Sequence, residues 1–380
     1  MIAGVRYLLV GISRYEDPRI EALQYSVNDV TYIRQVLNLS GYDKSTVTIL
    51  TDHDATWMNL RKALFAASGP QDTLVFYFSG HGYHRLVGQR FHQMIALYDS
   101  APDNPGSCLF EDELFLWLTK THYERKILFF DCCFPPDFSY RKDETDAPGS
   151  DHPGIVVLSA TSPEKKTWEI PMLKHSVFTY ILGNGLKGLA DINRDGQIMI
   201  PELAEFIREQ SAIMQNTPKN PDIPVIAGDR AMIDSTGFRY RPNAGRLGIV
   251  MARDGGYGLV DLGRLAGVSD FMQFYNDRNG QSFKPVQVYP LFTQLALDST
   301  INPGDLLLPT QDESPGELIL DVVPWAIVEL NGKPYGYSPV RIKPLYSGEY
   351  VLKLSHPERG TQTRTIILAP GEIKRLKVKL

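Results

Sequence analysis

Two short segments of the sequence carry side chains that could do covalent chemistry. The apolar run Leu74–Phe78 is followed by Ser-Gly-His-Gly, which contains His81, and the run Ile127–Phe130 is followed by Asp-Cys-Cys, which ends at Cys133. His81 and Cys133 are 52 positions apart. A thiolate is a strong nucleophile, and a neighbouring imidazole raises its population and can protonate a leaving amine. These residue types therefore indicate thiol-dependent acyl transfer.

Glycines flank His81 on both sides. They remove side-chain bulk, so the backbone N–H of Gly82, together with that of Cys133, could donate to a developing oxyanion. A buried cysteine pair and a hydrogen-bonded loop histidine would show the same residue types, because a free cysteine is usually a small core residue. The joint position of His81 and Cys133 favours catalysis, since ligands of open α/β sheets gather at the carboxyl ends of strands.

The elements that would position these groups alternate between strands and helices. Runs of six to eight mostly apolar residues predict strands buried on both faces: Val5–Ile12, Thr46–Thr51, Thr73–Phe78, Lys126–Asp131 and Gly154–Ala160. Apolar residues at helical spacing predict helices at Gln24–Leu39, Ala55–Ser68 and Glu111–Thr121. This alternation predicts an α/β domain with a mostly parallel sheet flanked by helices.

The pattern changes at about Phe238. Short β-like runs separated by turns predict a small β-barrel or sandwich, and Gln311–Gly316 is a polar, turn-rich joint. Leu318–Leu380 is again β-like, with Asn331-Gly332 as a hairpin turn. We therefore expect three domains: an α/β domain over residues 1–235 and two small all-β domains over 236–312 and 313–380.

Composition excludes several classes of protein. Of 380 residues, 43% are hydrophobic and 22% charged, which excludes a disordered chain. Three cysteines cannot form a disulfide framework, and a net charge of −5 gives no reason to expect a nucleic-acid partner. No apolar run is long enough to span a membrane, and the first residues predict a strand rather than a signal peptide. We expect a cytoplasmic location.

The two segments around His81 and Cys133 resemble the active-site motifs of caspase-like cysteine peptidases, the thiol proteases of the metacaspase and orthocaspase type. They read Tyr-Phe-Ser-Gly-His-Gly at 77–82 and Phe-Asp-Cys-Cys at 130–133, and their separation is similar to that in caspases. Further matching segments follow in the family order: Tyr7–Ile12, Asn28-Asp29, Val156–Ala160, Ser176–Thr179 and Gly185–Gly188. The resemblance covers about the first 230 residues and implies a caspase-like α/β fold.

The resemblance also implies roles for individual residues. His81 would be the general base, and Cys133, two positions after Asp131, would be the nucleophile, which leaves Cys132 as a structural thiol. Relatives of the metacaspase type cleave after Arg or Lys, and three residues match their substrate pocket: Asp29, Ser79 and Asp131. A buried carboxylate makes a strong charge-assisted contact with a guanidinium or ammonium group. The implied partner is a protein or peptide with Arg or Lys before the cleaved bond.

One segment departs from the family pattern. Phe134-Pro135-Pro136 stands where the family has a turn of small residues, and proline has no N–H and a fixed φ. Two hypotheses therefore stay open: an active endopeptidase, and a catalytically silent or conditionally active caspase-fold scaffold whose β domains bind a partner. Phe134–Pro153 corresponds to the linker that the family cuts during maturation, which predicts self-cleavage after Arg141 or Lys142.

A twelve-residue segment, Asp191–Glu202, matches the EF-hand calcium loop. Its predicted ligands are Asp191, Asn193, Asp195, Gln197 and Glu202. Against a calcium site, EF-hands usually occur in pairs, and Pro201 lies inside this loop. A calcium site and a plain turn before a helix are both compatible with the pattern, and the thiol chemistry itself requires no cofactor.

The C-terminal segment resembles a PEGA domain, which is a small β-sandwich. The matching residues are Val323–Pro339 and Gly348–Leu352, with Trp325 where glycine is usual. The resemblance implies a surface-binding or anchoring module without catalytic groups, and hence a protein partner for the β domains.

Overall fold

The computed structural model describes most of the chain. The described residues are 4–41, 46–66, 73–87, 90–132, 153–160, 169–193, 195–214, 225–241, 247–268, 272–276, 278–310, 316–345, 348–369 and 371–380. The chain divides into two compact units, one of Met1–Asp191 with Gly196–Pro242 and one of Ile192–Asp195 with Asn243–Leu380.

The first unit combines short strands with helices. Its strands are β1 (Val5–Gly11), β2 (Val47–Thr51), β3 (Thr73–Ser79), β4 (Gly82–Val87), β5 (Arg90–Ile95), β6 (Leu109–Phe110), β7 (Arg125–Asp131), β8 (Ile155–Ser159), β9 (Glu169–Ile170), β10 (His175–Ser176), β11 (Gln197–Met199), β12 (Val225–Gly228) and β13 (Gly237–Arg239). Its helices are α1 (Ser26–Ser40), α2 (Trp57–Phe65), α3 (Glu111–Lys120), α4 (Val177–Asn184), α5 (Ile200–Met214) and α6 (Arg230–Ser235), and a π-helical turn at Gly185–Leu189 follows α4.

The main sheet has six strands in the order β12-β8-β7-β3-β1-β2. The five strands predicted from apolar runs pair in parallel, whereas β12 is antiparallel to β8. The predicted α/β layout is therefore confirmed, with a mixed sheet. Every residue of β3 is buried, because a parallel strand needs cover on both faces. The rings of Phe76 and Phe130, on β3 and β7, meet at a centroid distance of 5.8 Å in this core.

The second unit contains two groups of strands. The first group consists of β14 (Gly248–Asp254), β15 (Tyr257–Val260), β16 (Phe274–Tyr275), β17 (Ser282–Phe283), β18 (Pro285–Val288), β19 (Thr293–Ala296) and β20 (Leu306–Pro309). They form one antiparallel sheet in the order β17-β16-β20-β14-β15-β19-β18. This sheet has its own apolar core, which includes Val250, Phe274 and Leu295.

The second group forms two sheets over a separate core. Its strands are β21 (Gly316–Val323), β22 (Ile327–Leu330), β23 (Lys333–Tyr337), β24 (Val340–Leu345), β25 (Gly348–His356), β26 (Gly360–Leu368) and β27 (Ile373–Lys379). The sheet orders are β24-β21-β27 and β23-β22-β25-β26. The predicted hairpin turn is confirmed, since Asn331 and Gly332 join β22 to β23 with φ values of 49° and 76°.

The predicted boundary at residue 235 lies inside the first unit. Strand β13 comes after that position and pairs with β11, and Phe238 in β13 is buried with its ring 6.2 Å from that of Phe129. The division of the β part at residue 312 stays a prediction, although each group of strands has a core of its own. None of the helices in the described ranges combines the length and apolar character needed to cross a membrane.

Candidate active site

The segments that contain His81 and Cys133 leave the sheet at the same edge. Strands β3 and β7 are parallel neighbours, and Ser79 pairs with Asp131 at the end of both. His81 follows β3 by two positions, and Cys133 follows β7 by two positions. Cys133 itself lies outside the described residues, as do Phe134–Pro136 and the predicted cleavage positions Arg141 and Lys142. Their assignments stay predictions.

The His81 ring is held in one orientation. Its Nε2 donates to the backbone carbonyl oxygen of Glu21 at 2.7 Å. A carbonyl oxygen can only accept, so Nε2 carries the proton, and in the neutral ring Nδ1 is then the basic nitrogen. The rings of Tyr15 and Tyr83 lie against His81 at centroid distances of 5.4 and 5.9 Å. This arrangement suits a general base.

The backbone around His81 is fixed as well. The N–H of His81 donates to the Tyr15 hydroxyl at 2.8 Å, and its carbonyl accepts from the N–H of Ala96 at 3.0 Å. Burial raises the pKa of Tyr15 far above its usual range, so the hydroxyl stays neutral. Gly80 is required before His81, because a Cβ at this position would lie 2.8 Å from Cζ of the buried Phe78.

Two neighbouring residues had predicted roles of their own: Gly82 as an oxyanion donor and Cys132 as a structural thiol outside the site. Gly82 begins β4 opposite Ile95 and is partly exposed, as an oxyanion donor must be. The Cys132 side chain is fully buried in the apolar core that also contains Phe78 and Leu97. Its surroundings are those of a structural thiol.

Asp29 lies on α1 and is buried. Its Oδ1 accepts from Nδ1 of His175 at 2.8 Å and from the N–H of Ser176 at 3.2 Å. Its Oδ2 accepts from the Ser79 hydroxyl at 3.2 Å. The structure therefore brings Asp29 and Ser79, both predicted pocket residues, into direct contact.

Asp131 joins the same network through Ser176. Its Oδ2 accepts from the hydroxyls of Ser176 and Thr179, and the Tyr77 hydroxyl lies 3.5 Å away. Burial and the nearby carboxylates raise the pKa of Tyr77 well above its usual value. Ser176 bridges the two acids, since its N–H donates to Asp29 and its hydroxyl to Asp131.

The segment that provides this bridge had no predicted role. Asn28, next to Asp29, donates to the carbonyl oxygen of Lys174 at 3.3 Å, so adjacent residues of α1 hold β10 in place. Ser176 also caps α4, because its hydroxyl accepts from the N–H of Thr179 at 3.0 Å. Ser176–Thr179 matches the family pattern, but the sequence alone assigned no function to His175. The sequence feature that could have drawn attention to His175 is its position directly before this matching segment.

The predicted calcium ligands make local hydrogen bonds. Oδ2 of Asp191 accepts from the N–H of Gly196 at 2.9 Å and from the Tyr240 hydroxyl at 3.0 Å. Oδ1 of Asn193 accepts from the N–H of Asp195 at 2.8 Å. These bonds stabilise a turn in which Gly196 adopts a φ of +84°.

The remaining two predicted ligands belong to secondary structure. Gln197 pairs with Arg239 in the β11–β13 ladder, and Oε2 of Glu202 accepts from the N–H of Met199 at 2.9 Å, before α5. The described part of the chain contains no group of three or more His, Cys, Asp or Glu side chains that could hold a metal ion. The observed bonds are those of a turn before a helix, and calcium binding stays a prediction.

Comparisons with known proteins give the family of the first part of the chain. A family model described as the caspase domain matches residues 6–220, a range that includes His81, Cys133 and the three residues predicted for the substrate pocket. The crystal structure of caspase-1 from Spodoptera frugiperda is similar at 16% identity, with a TM-score of 0.42, covering 59% of this chain and 86% of that one. The structure of pro-sf-caspase-1 is similar at 14% identity, with a TM-score of 0.40 and coverages of 59% and 91%. No curated protein matches the sequence.

Proposed function

We propose that this chain, which belongs to the caspase domain family of cysteine peptidases, is a cysteine endopeptidase with a Cys133–His81 dyad. The observation that carries the proposal is the orientation of His81: its Nε2–H is bound to the Glu21 carbonyl, so Nδ1 is the base, at the sheet edge where β7 leads to Cys133. The family is one of hydrolases that act on proteins, which fits this chemistry.

The reaction follows from the roles of these groups. Nδ1 of His81 takes the thiol proton of Cys133, and the thiolate attacks the scissile carbonyl carbon. The N–H groups of Gly82 and Cys133 donate to the oxyanion of the tetrahedral intermediate. When the intermediate collapses, the C–N bond breaks, and the imidazolium protonates the leaving amine. Water, deprotonated by His81, then hydrolyses the thioester to a carboxylic acid and regenerates the thiol.

The proposed specificity is cleavage after Arg or Lys, as in the metacaspase and orthocaspase type. Support comes from two buried carboxylates, Asp29 and Asp131, which a network of hydroxyls and amides joins to Ser79. Negative charge in a buried site favours a cationic substrate group. Since the substrates would be basic at this position, self-cleavage after Arg141 or Lys142 belongs to the same proposal, and intact-mass measurement of active protein tests it.

The β part of the chain is proposed to bind a protein partner. The pair of sheets formed by β21–β27 over one apolar core supports a PEGA-like sandwich. A cytoplasmic location is proposed with it.

The first experiment measures release of fluorophore from peptides ending in Arg, Lys or Asp, with and without calcium. We expect cleavage after Arg and Lys that Cys133→Ala abolishes. Cys132→Ala is the matched control, because it removes the neighbouring thiol from the core and should leave most activity. Absence of cleavage under every condition, with Cys133 unreactive to iodoacetamide, would favour the silent scaffold. A calcium dependence that survives Asp191→Ala would exclude the EF-hand-like segment as its origin.

A further inference from the structure

His175 is a buried histidine outside the proposed dyad. It lies in β10, and its side chain is only 6% exposed. The Tyr32 ring packs against it at a centroid distance of 5.3 Å. Its Nδ1 lies 2.8 Å from Oδ1 of Asp29, whose side chain is 2% exposed. Two apolar side chains of similar volume could usually replace a buried histidine–carboxylate pair without loss of stability. The presence of the polar pair therefore suggests a role other than packing.

Donors from the described strands β3 and β10 hold the Asp29 carboxylate. His175 and the N–H of Ser176 both donate to Oδ1, and the Ser79 hydroxyl donates to Oδ2. Oδ1 is therefore directed at β10, and Oδ2 is directed at β3, the strand that ends next to His81. A buried carboxylate that loses a donor tends to take up a proton or to change its orientation.

We propose that His175 is a positioning residue for substrate specificity, which keeps the Asp29 carboxylate oriented toward Ser79 so that the pocket accepts a cationic side chain. This inference rests on the proposed function, because it concerns the pocket of that enzyme. His175 acts through Asp29 and does not touch the substrate. The His175 imidazole donates to Asp29, and Asp131 joins the same network through Ser176, so the network contains two carboxylates beside one imidazole.

Two amide substitutions separate this role from packing. In His175→Asn the amide nitrogen is bonded to Cγ, as Nδ1 is, so it can still donate to Asp29. In His175→Gln the nitrogen is one bond farther from the backbone and cannot occupy the same position. Both variants are polar and uncharged, and they differ mainly in where the donor lies.

The measurement is the ratio of kcat/KM for a peptide ending in Arg to that for the same peptide ending in citrulline, which has nearly the same shape without the charge. We expect His175→Asn to keep this ratio within about threefold of wild type, and His175→Gln to lower it by about tenfold or more, mainly through KM. The rate of Cys133 alkylation should change in neither variant. His53→Gln, at an exposed position, is the surface control.

Each outcome decides a specific point. An unchanged ratio in His175→Gln, or an equal loss on both peptides, overturns the positioning role. If His175→Gln does not fold, the test rests on His175→Asn. A lowered Arg-to-citrulline ratio of kcat/KM in folded His175→Asn overturns the positioning role, and a retained ratio supports it. A wild type that cuts neither peptide overturns the proposed function and this inference together. A wild type that cuts both equally overturns the acidic pocket alone and leaves the dyad.

Discussion

Tyr15 connects the apolar core to the proposed general base. Its hydroxyl accepts the N–H of His81 at 2.8 Å, and its ring is almost fully buried. We expect Tyr15→Phe to leave this N–H without its acceptor, to lower the free energy of unfolding by about 1–2 kcal/mol and to lower kcat about tenfold. Urea unfolding and peptide cleavage measure the two effects. Tyr83→Phe, which retains a ring stacked on His81, is the control, and an equal loss there would contradict the role of the Tyr15 hydroxyl.

Gly80 has no room for a side chain. The Cβ of an alanine would lie 2.8 Å from Cζ of Phe78, and the surrounding core prevents this ring from moving freely. Gly80→Ala should therefore lower the free energy of unfolding by about 1–3 kcal/mol and reduce activity by displacing His81. Gly256→Ala is the matched control, since no atom lies within 4 Å of its added Cβ. Equal free energies of unfolding for Gly80→Ala and Gly256→Ala would refute the steric argument.

Sequence alone could identify His81 but not the contacts that orient it. The type of residue, its glycine neighbours and its position after a strand are all local features. The Glu21 carbonyl and the Tyr15 hydroxyl are 60 and 66 positions away in the chain, and a carbonyl has no residue-type signal at all. The sequence pattern therefore points to His81, whereas it gives no sign of the hydrogen bonds that orient this residue, and the dyad with Cys133 stays a prediction.

At the scale of elements, long apolar strands were predictable and short ones were not. The runs that became β3 and β7 are continuous and buried, so their parallel pairing follows from the alternation with helices. Strand β10 has only two residues and shows no periodicity, although it provides His175 and Ser176 to the hydrogen-bond network around Asp29. The segment with the EF-hand-like pattern forms a turn that leads into a helix. Aspartate, asparagine and glycine favour turns and helix starts as well as calcium loops, so the pattern alone does not distinguish them.

Asp229 joins helix α6 to strand β8. Its Oδ1 accepts from the N–H of Met232 at 3.2 Å, and its Oδ2 accepts from the N–H of Gly154 at 2.9 Å. These two hydrogen bonds, that from Gly154 first, lower the pKa of Asp229 below its ordinary value of 3.8. A lowered folded-state pKa means that the carboxylate stabilises the fold fully above pH 3.8 and ceases to do so as the pH falls through the lower, folded-state pKa.

We therefore expect Asp229→Asn to be less stable than wild type at pH 7 by up to about 1 kcal/mol. The difference should shrink in acid well below the ordinary carboxyl pKa, where the wild-type side chain is protonated as well. Urea unfolding at neutral and acidic pH measures it. Asp234→Asn on the same helix, where the carboxylate pairs with exposed Arg230, should change stability little at either pH. If the stability difference between wild type and Asp229→Asn grew in acid, the ionised Asp229 carboxylate could not be the stabilising form.

At the scale of the whole molecule, the first compact unit extends to Pro242, beyond the boundary predicted at residue 235. Strand β13 supplies the buried Phe238, which packs near Phe129 of the main sheet. A fragment of residues 1–235 should be less stable than one of residues 1–242 by about 3 kcal/mol or more, because it loses this aromatic side chain and the pairing with β11. Thermal unfolding of both fragments tests this, and equal midpoints would support the boundary predicted from the sequence.

The hydrogen bond from His81 to the Glu21 carbonyl has a consequence for how the protein can change by mutation. In many hydrolases the partner of the catalytic histidine is a carboxylate side chain, which one nucleotide change can remove. Here the acceptor is a main-chain oxygen, and the Glu21 side chain itself is exposed. Every amino acid carries that oxygen, so genetic drift at position 21 leaves the alignment of the histidine intact. The orientation of the proposed base therefore does not depend on which side chain stands at position 21.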